Sequence, residues 1–385
     1  MLLSVFLHSN WSSPSLYSDI SSFWGRSWVA SGQVPYSSSA SFLEYPPVSG
    51  IVLYASRAIG GAISGVVGGV YSGYYTVFSV LSLGATVVIA WSTWRLAGGL
   101  GVKLNPVYFL LPSMIIYGIY NFDLFNTLFI VLCLQFFVEK RRGWSAVFLG
   151  AAMATKFVAA VLIPIFLLEL ATTKDRVRYF VTSAVVAGAF FVPIAIYNFG
   201  YFSQFISYYS TWGMEDAWYV WIFGNPLYSP AKIFGLVLLV LLLVRIYTLK
   251  MPLVQRSFIA LSAYLLTTYI YAPQFNLMLI PLVAVLAISS PSLYLMEAFN
   301  ALIILTWFTV PQTPTSGPTY PWTVPQAMAL LRSASLAVLS LSVAAGSGHS
   351  FANWIRVKAG LPLPPPPQTS LDQTVSPPAS RKLAS

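Results

Sequence analysis

The stretch Phe234-Gly235-Leu236-Val237-Leu238-Leu239-Val240-Leu241-Leu242-Leu243-Val244 is apolar apart from one glycine and carries no charge. A strand of an outer-membrane barrel alternates apolar and polar residues, so a continuous run speaks against that architecture. Extended to residues 230–249, the run fits a helix that meets lipid or other helices on every side. Comparable blocks recur at 73–94, 106–120, 123–138, 144–155, 157–169, 179–198, 257–272, 275–289, 293–310 and 326–346. The expectation is an all-α polytopic membrane protein with about 11 spans or half-spans. Composition agrees: 57% of the 385 residues are hydrophobic and 8% are charged, against about 25% charged in soluble domains. Mean hydropathy is +0.74. A soluble enzyme is excluded, as is intrinsic disorder outside the tail.

Basic residues concentrate in cytoplasmic loops and so set orientation. They cluster at Arg95 and Lys103, Lys140 to Arg142, Lys174 to Arg178, and Arg245 to Arg256, with Arg356, Lys358, Arg381 and Lys382 in the tail. With these inside, 15 of the 20 basic residues are cytoplasmic. The net charge of +10 is then topological, and no compact basic domain is left to bind nucleic acid. Residues 144–169 test the scheme, because basic clusters flank both ends. As one helix the block would be about 39 Å long and put one cluster outside. Splitting it at Thr155-Lys156 keeps both inside and brings Lys156 to the outer side. The same parity puts Asn121 to Asp123, the 200–229 loop, Pro273-Gln274 and the 311–325 loop outside. Three regions follow: an outer-face loop one with a juxtamembrane element at 1–71, the helical bundle at 72–346, and a Pro-rich, disordered cytoplasmic tail at 347–385. The segment 48–71 reads as an interfacial element on the outer face. Met1 to Leu7 is too short for a span or a signal peptide.

Half of the ten acids, Asp19, Glu44, Asp123, Glu215 and Asp216, fall on the outer side, together with Arg26, Arg57, Lys156, Lys232 and Arg332. Charges gathered there mark a candidate site, although loops are also simply where acids are solvated. Lone Cys133 and the pair His8 and His349 offer neither a disulfide framework nor a cysteine or histidine metal cluster. Asn10-Trp11-Ser12 is an outer-side glycosylation sequon.

Loop one carries Tyr17-Ser18-Asp19-Ile20, Phe23-Trp24-Gly25-Arg26, Gly32-Gln33-Val34-Pro35-Tyr36 and Glu44-Tyr45-Pro46-Pro47. Downstream come Tyr120-Asn121-Phe122-Asp123, then Gly150 through Ala154-Thr155-Lys156, then Ala272-Pro273-Gln274-Phe275 with Pro281 beyond. Over roughly residues 15–290, in this order, the chain resembles the GT-C membrane glycosyltransferases that use polyprenyl-phosphate sugars. It is similar to the prokaryotic polyprenyl-phosphate-mannose-dependent mannosyltransferases and to the catalytic subunit of GPI mannosyltransferase I. Ser21 stands where the GPI family has a second Asp. The resemblance also implies a span ahead of loop one, so the expected start of the protein lies farther upstream.

The resemblance implies an inverting hexosyltransferase, with mannose as the expected hexose, acting on the extracytoplasmic face of a prokaryotic cell membrane, or in the endoplasmic reticulum of a eukaryote. Its expected partners are a polyprenyl- or dolichyl-phosphate sugar donor, a lipid-linked glycan or glycolipid acceptor, membrane lipids and, optionally, an accessory membrane subunit. It implies no cofactor, and no residue spacing argues for a metal. Asp19 is the implied catalytic base, with a helix N-cap as the competing role. Lys156, an ammonium at a helix break with no adjacent acid in sequence, reads as the donor-phosphate ligand, or as a lysine snorkelling to the surface. Arg26 is a second phosphate candidate. Glu44, Asn121, Asp123 and Gln274 are candidates for acceptor or sugar hydroxyls, each with a local structural role as the alternative. Glu215-Asp216 sit among Tyr208, Tyr209, Trp212, Trp218, Tyr219 and Trp221, a mixture that suits sugar binding and equally an interfacial aromatic belt. From another class, a secondary transporter or lipid or sugar flippase would also use broken helices and intramembrane charges.

Overall fold

The structure, a computed structural model, describes residues 1–9, 15–313 and 316–345. The sequon, His349 and the tail fall outside the described residues. In chain order the helices are α1 (Leu2–His8), α2 (Asp19–Trp24), α3 (Ser27–Ala30), α4 (Pro47–Ala62), α5 (Ser64–Val67), α6 (Val70–Gly99), α7 (Pro112–Tyr117), α8 (Asp123–Val138) and α9 (Arg142–Thr155). They continue as α10 (Ile163–Leu168), α11 (Thr173–Tyr197), α12 (Gly200–Thr211), α13 (Val220–Phe223), α14 (Pro230–Thr248), α15 (Leu253–Thr267), α16 (Ile280–Val285), α17 (Pro291–Trp307) and α18 (Val324–Ala344). Among the described residues, β pairing is confined to two isolated bridges, Glu215 with Ile270 and Thr313 with Ser316.

Four helices, α6, α11, α14 and α18, are long and apolar enough to cross a membrane. The remaining expected spans are shorter or broken. Residues 106–120 form a 3-10 segment, Pro106–Leu110, followed by α7. The expected 257–272 span ends at Thr267, because Thr268 turns to extended backbone and residues 269 and 271 pair with Glu215. The 275–289 block becomes the 3-10 segment Pro273–Leu279 and the short α16. Thr155-Lys156 is a break, as expected: Lys156 is extended, with φ −161° and ψ 131°, between α9 and the 3-10 segment Phe157–Leu162.

Local chemistry explains several starts. Pro47, Pro112, Pro230 and Pro291 are the first residues of α4, α7, α14 and α17, where proline gives up no intrahelical bond and its φ is already helical. Thr172 and Ser290 cap α11 and α17 by accepting from the N–H of Asp175 and Leu293. The core lies between α6, α8, α9, α15 and the 273–285 segment. Only 11% of the best apolar window of α11 and 17% of that of α14 is buried, against 44% in α6 and in α18. Helices so apolar and so exposed belong on the lipid-facing rim.

The segment expected to be interfacial forms α4 and α5. Helix α4 packs mainly along α6 and also touches the end of α9 and loop one. Ser49 near its start donates to Thr155 O, Arg57 donates to Ala30 O, and Gly60 meets Gly73 of α6. The last contact is backbone against backbone, so a Cβ on either glycine would run into the other helix. Gly84 on the same α6 has open space around it.

These two glycines therefore predict opposite signs. Gly84→Ala gains helix propensity and stabilises by up to about 1 kcal/mol. Gly73→Ala forces the helices apart and is destabilising by about 1–3 kcal/mol. Thermal unfolding in detergent reads both.

Candidate functional site

Loop one is held in shape by its own motif residues. Tyr36, at φ 66°, lies over Gly50 and donates its hydroxyl to Tyr45 O and Pro46 O at 3.0 and 3.1 Å. The Gly-x-x-Pro-Tyr turn is thereby tied to the Glu-Tyr-Pro-Pro turn. Helix α12 closes over both: Asn198, just before it, donates to Tyr36 O, Tyr201 to Tyr45 O and Tyr209 to Glu44 O.

Asp19 is the first residue of α2, and the cap is Ser18, whose hydroxyl accepts from the N–H of Ser21. The N-cap role weighed for Asp19 is thus filled by its neighbour. Asn121 donates to the Asp19 carboxylate at 2.5 Å and, through the same amide nitrogen, to the Tyr45 hydroxyl at 2.7 Å. Burial raises the Asp19 carboxyl to about 7; a hydrogen bond with Tyr17 opposes this, while Glu215, Glu44 and Asp123 add to it.

Three expectations about charges change. Lys156 does have a carboxylate partner, Asp123 Oδ1 at 2.5 Å, and its Nζ sits 3.4 Å from the centre of the Phe275 ring. The partner lies 33 residues away on α8 and is invisible to a search for adjacent acids. Arg26 is engaged on both nitrogens by Glu44, at 2.6 Å each, in the fork geometry that satisfies a guanidinium. Neither Arg26 nor Glu44 is therefore an idle group awaiting a ligand. Asn121 and Asp123, expected to touch sugar hydroxyls, are buried and stand behind Asp19 and Lys156 instead.

A cavity of about 580 Å³ collects the others. Asp19, Arg26, Glu44 and Lys156 line it from loop one and the α9 break, Glu215 and Asp216 from the loop after α12, and Gln274 from the segment after α15. Its aromatic wall includes Tyr17, Tyr208, Tyr209, Trp212, Trp307 and Phe308. The aromatic loop expected to act as one belt is divided. Tyr208, Tyr209 and Trp212 face the cavity, whereas Trp218, Tyr219 and Trp221 pack in a separate cluster with Met214 and Val220. Trp212 donates to Glu215 at 3.1 Å, and burial raises the Glu215 carboxyl. Burial also lifts Asp216, to about 8 against the pull of Arg332. Gln274 is buried with its carbonyl oxygen unpartnered.

Trp307 and Phe308 carry no signal in the sequence, because they end an apolar helix with no charged neighbour to mark them. Phe275 and Tyr45 lie within the Ala-Pro-Gln-Phe and Glu-Tyr-Pro-Pro motifs, where a ring beside Gln274 or Glu44 carries no polar signal of its own. Among the described residues no three His, Cys, Asp or Glu side chains come close enough to hold a metal ion. The arrangement offers a carboxylate poised near neutrality, acceptor-rich polar groups, a cation and stacking surfaces. No protein-family model matches the chain, and no curated protein matches its sequence.

The titration of Asp19 has a thermodynamic sign. The folded chain ionises it at about 7 and the ordinary value is 3.8, so between those values the folded state holds a proton that the unfolded state has lost. Stability from this group is full below about pH 4 and declines as pH rises through 7. Asp19→Asn, which keeps an oxygen for Asn121, removes the decline. Its melting temperature should exceed that of wild type at pH 8 and match it at pH 4. A difference between the two that is independent of pH would contradict the assignment.

Proposed function

We propose that the protein is an inverting membrane glycosyltransferase of GT-C type, moving a hexose from a polyprenyl- or dolichyl-phosphate donor to a lipid-linked glycan or glycolipid. In this reading the eleven helical blocks act as spans or half-spans, and the cavity opens on the extracytoplasmic face. The cell membrane of a prokaryote is the proposed location, and mannose the proposed hexose, on the resemblance alone.

The observation that carries the reading is the single cavity in which Asp19 faces aromatic walls with Lys156 in the same lining. Sugar transfer needs a base for the acceptor proton, a counter-charge for the leaving phosphate and exclusion of water. A carboxyl that ionises near 7 suits general-base work at neutral pH. Asn121 and Tyr45 fix its direction. The acceptor hydroxyl gives its proton to Asp19 while its oxygen attacks the anomeric carbon; the bond from that carbon to the phosphate oxygen breaks, and lipid phosphate leaves as an anion. Lys156 has three N–H donors and Asp123 engages one of them, which leaves donors for that anion. Asp123 then keeps the ammonium in place between turnovers. Gln274, with its unpartnered oxygen, and Glu215 accept from sugar hydroxyls. The aromatic rings stack on sugar C–H faces.

The breaks at Thr155–Phe157 and Thr267–Pro273 would also serve a transporter. Membranes given polyprenyl-phosphate [14C]mannose separate the two, because a transporter moves label without forming a new covalent product. Wild type should incorporate label into a lipid or glycan product. Asp19→Asn should lower the rate by about 10²–10⁴-fold, and wild-type kcat should rise with pH through about 7, as the base loses its proton. Equal transfer by wild type and Asp19→Asn would remove Asp19 from the chemistry.

A further inference from the structure

Helix α18 contains a fully buried arginine, Arg332, that has no carboxylate partner among the described ion pairs. A lone guanidinium inside an apolar bundle is costly unless several acceptors meet it. Here three do. Nη2 donates to Tyr271 O at 2.6 Å and to Asp216 O at 3.2 Å, and Nη1 donates to Asn300 Oδ1 at 2.9 Å. The guanidinium also lies 3.6 Å from the centre of the Tyr271 ring.

The two carbonyls are informative. Among the described residues, the 215 loop pairs with the 270 segment in strand fashion through the bridge of Glu215 with Ile270 alone, in which Glu215 N donates to Tyr269 O and Tyr271 N to Glu215 O. Asp216 and Tyr271 are the next residue on each side. At Asp216 the chain turns away through φ 54°, so no further backbone rung forms. Arg332 supplies the missing donor to both carbonyls at the point where the ladder stops. Six residues earlier on α18, Gln326 donates to the Asp216 carboxylate at 3.3 Å. Asn300, itself held by Arg332, donates to Pro273 O at 2.9 Å, the carbonyl just before Gln274. One side chain thus fixes the backbone just after Glu215 and, in part through Asn300, just ahead of Gln274.

We infer that Arg332 is the positioning residue of this wall, setting the placement of Glu215 and Gln274 through the Asp216, Tyr271 and Asn300 oxygens without itself reaching the cavity. Its consequence for sugar binding rests on the function proposed above; its structural consequence does not. Lysine cannot replace it, since one ammonium lacks the planar fork that reaches two carbonyls and an amide oxygen together.

The test uses Arg332→Lys and Arg332→Met, the full-length protein in detergent, and hydrogen–deuterium exchange read by mass spectrometry with no substrate present. A hydrogen bond made by a charged group is worth more than one factor of ten in equilibrium. Exchange at the amides of Glu215 and Tyr271 should therefore accelerate at least about tenfold in both variants, while α8 and α9 stay protected. Unchanged exchange there, or equal acceleration through α8 and α9, overturns the inference. If Arg332→Met fails to fold, Arg332→Lys alone decides. A second arm measures transfer: Arg332→Lys should raise the acceptor KM more than it lowers kcat, and adding Glu215→Gln to it should cost less than the two single losses combined. Additive losses would overturn the assignment to Glu215. Absence of transfer in wild type would count against the glycosyltransferase reading and leave the exchange result standing.

Discussion

The ion pair of Lys156 with Asp123 is the constraint on which the cavity end of the molecule depends. An ammonium brought to a helix break in an apolar bundle has to be met by an anion or displaced toward water. Asp123, the first residue of α8, meets it at 2.5 Å, and the ring of Phe275 covers its other side. Three distant parts of the chain are thereby fixed at one point: the start of α8, the end of α9 and the segment after α15. Buried pairs seldom add net stability, yet loss of one member leaves an uncompensated charge and typically costs about 3–5 kcal/mol. The pair is thus better understood as specifying where the helices break than as holding the fold together.

Loop one is built onto that fixed point. The turn that ends in Asp123 also presents Asn121, and Asn121 reaches forward to Asp19 and Tyr45. Arg26 and Glu44 close the loop on itself with a two-bond fork, and Tyr36 links its two proline turns. The polar groups of the region therefore fall into two layers. Asn121, Asp123 and Tyr36 hold; Asp19, Lys156, Glu215 and Gln274 face the cavity. The acids in front, Asp19 and Glu215, are desolvated by burial, which is why they keep protons to higher pH than free carboxyls do.

Much of this was legible in the sequence, for identifiable reasons. Continuous apolar runs gave the helical class, and the paired basic clusters around 144–169 located the break at Lys156. Asp19, Glu44, Glu215 and Gln274, expected on one side by counting the runs between them, line one cavity. Pairing was not legible, because partners such as Asp123 and Lys156, or Arg332 and Tyr271, are tens of residues apart and no local pattern links them. Helix length was read too generously where short segments occur: α15 stops at Thr267 because its continuation is drawn into the bridge with Glu215. Arg332 was visible as a charge in a span, but its work is done on backbone oxygens, which no side-chain motif records.

The most direct measurement is a cryo-EM reconstruction of the protein with a polyprenyl-phosphate hexose bound. The expected result is the sugar inside the cavity between Trp212 and Trp307, with its anomeric carbon on the Asp19 side, its phosphate against Lys156, and the Lys156–Asp123 pair intact. Density for the phosphate elsewhere on the molecule, with the cavity empty of sugar, would contradict it.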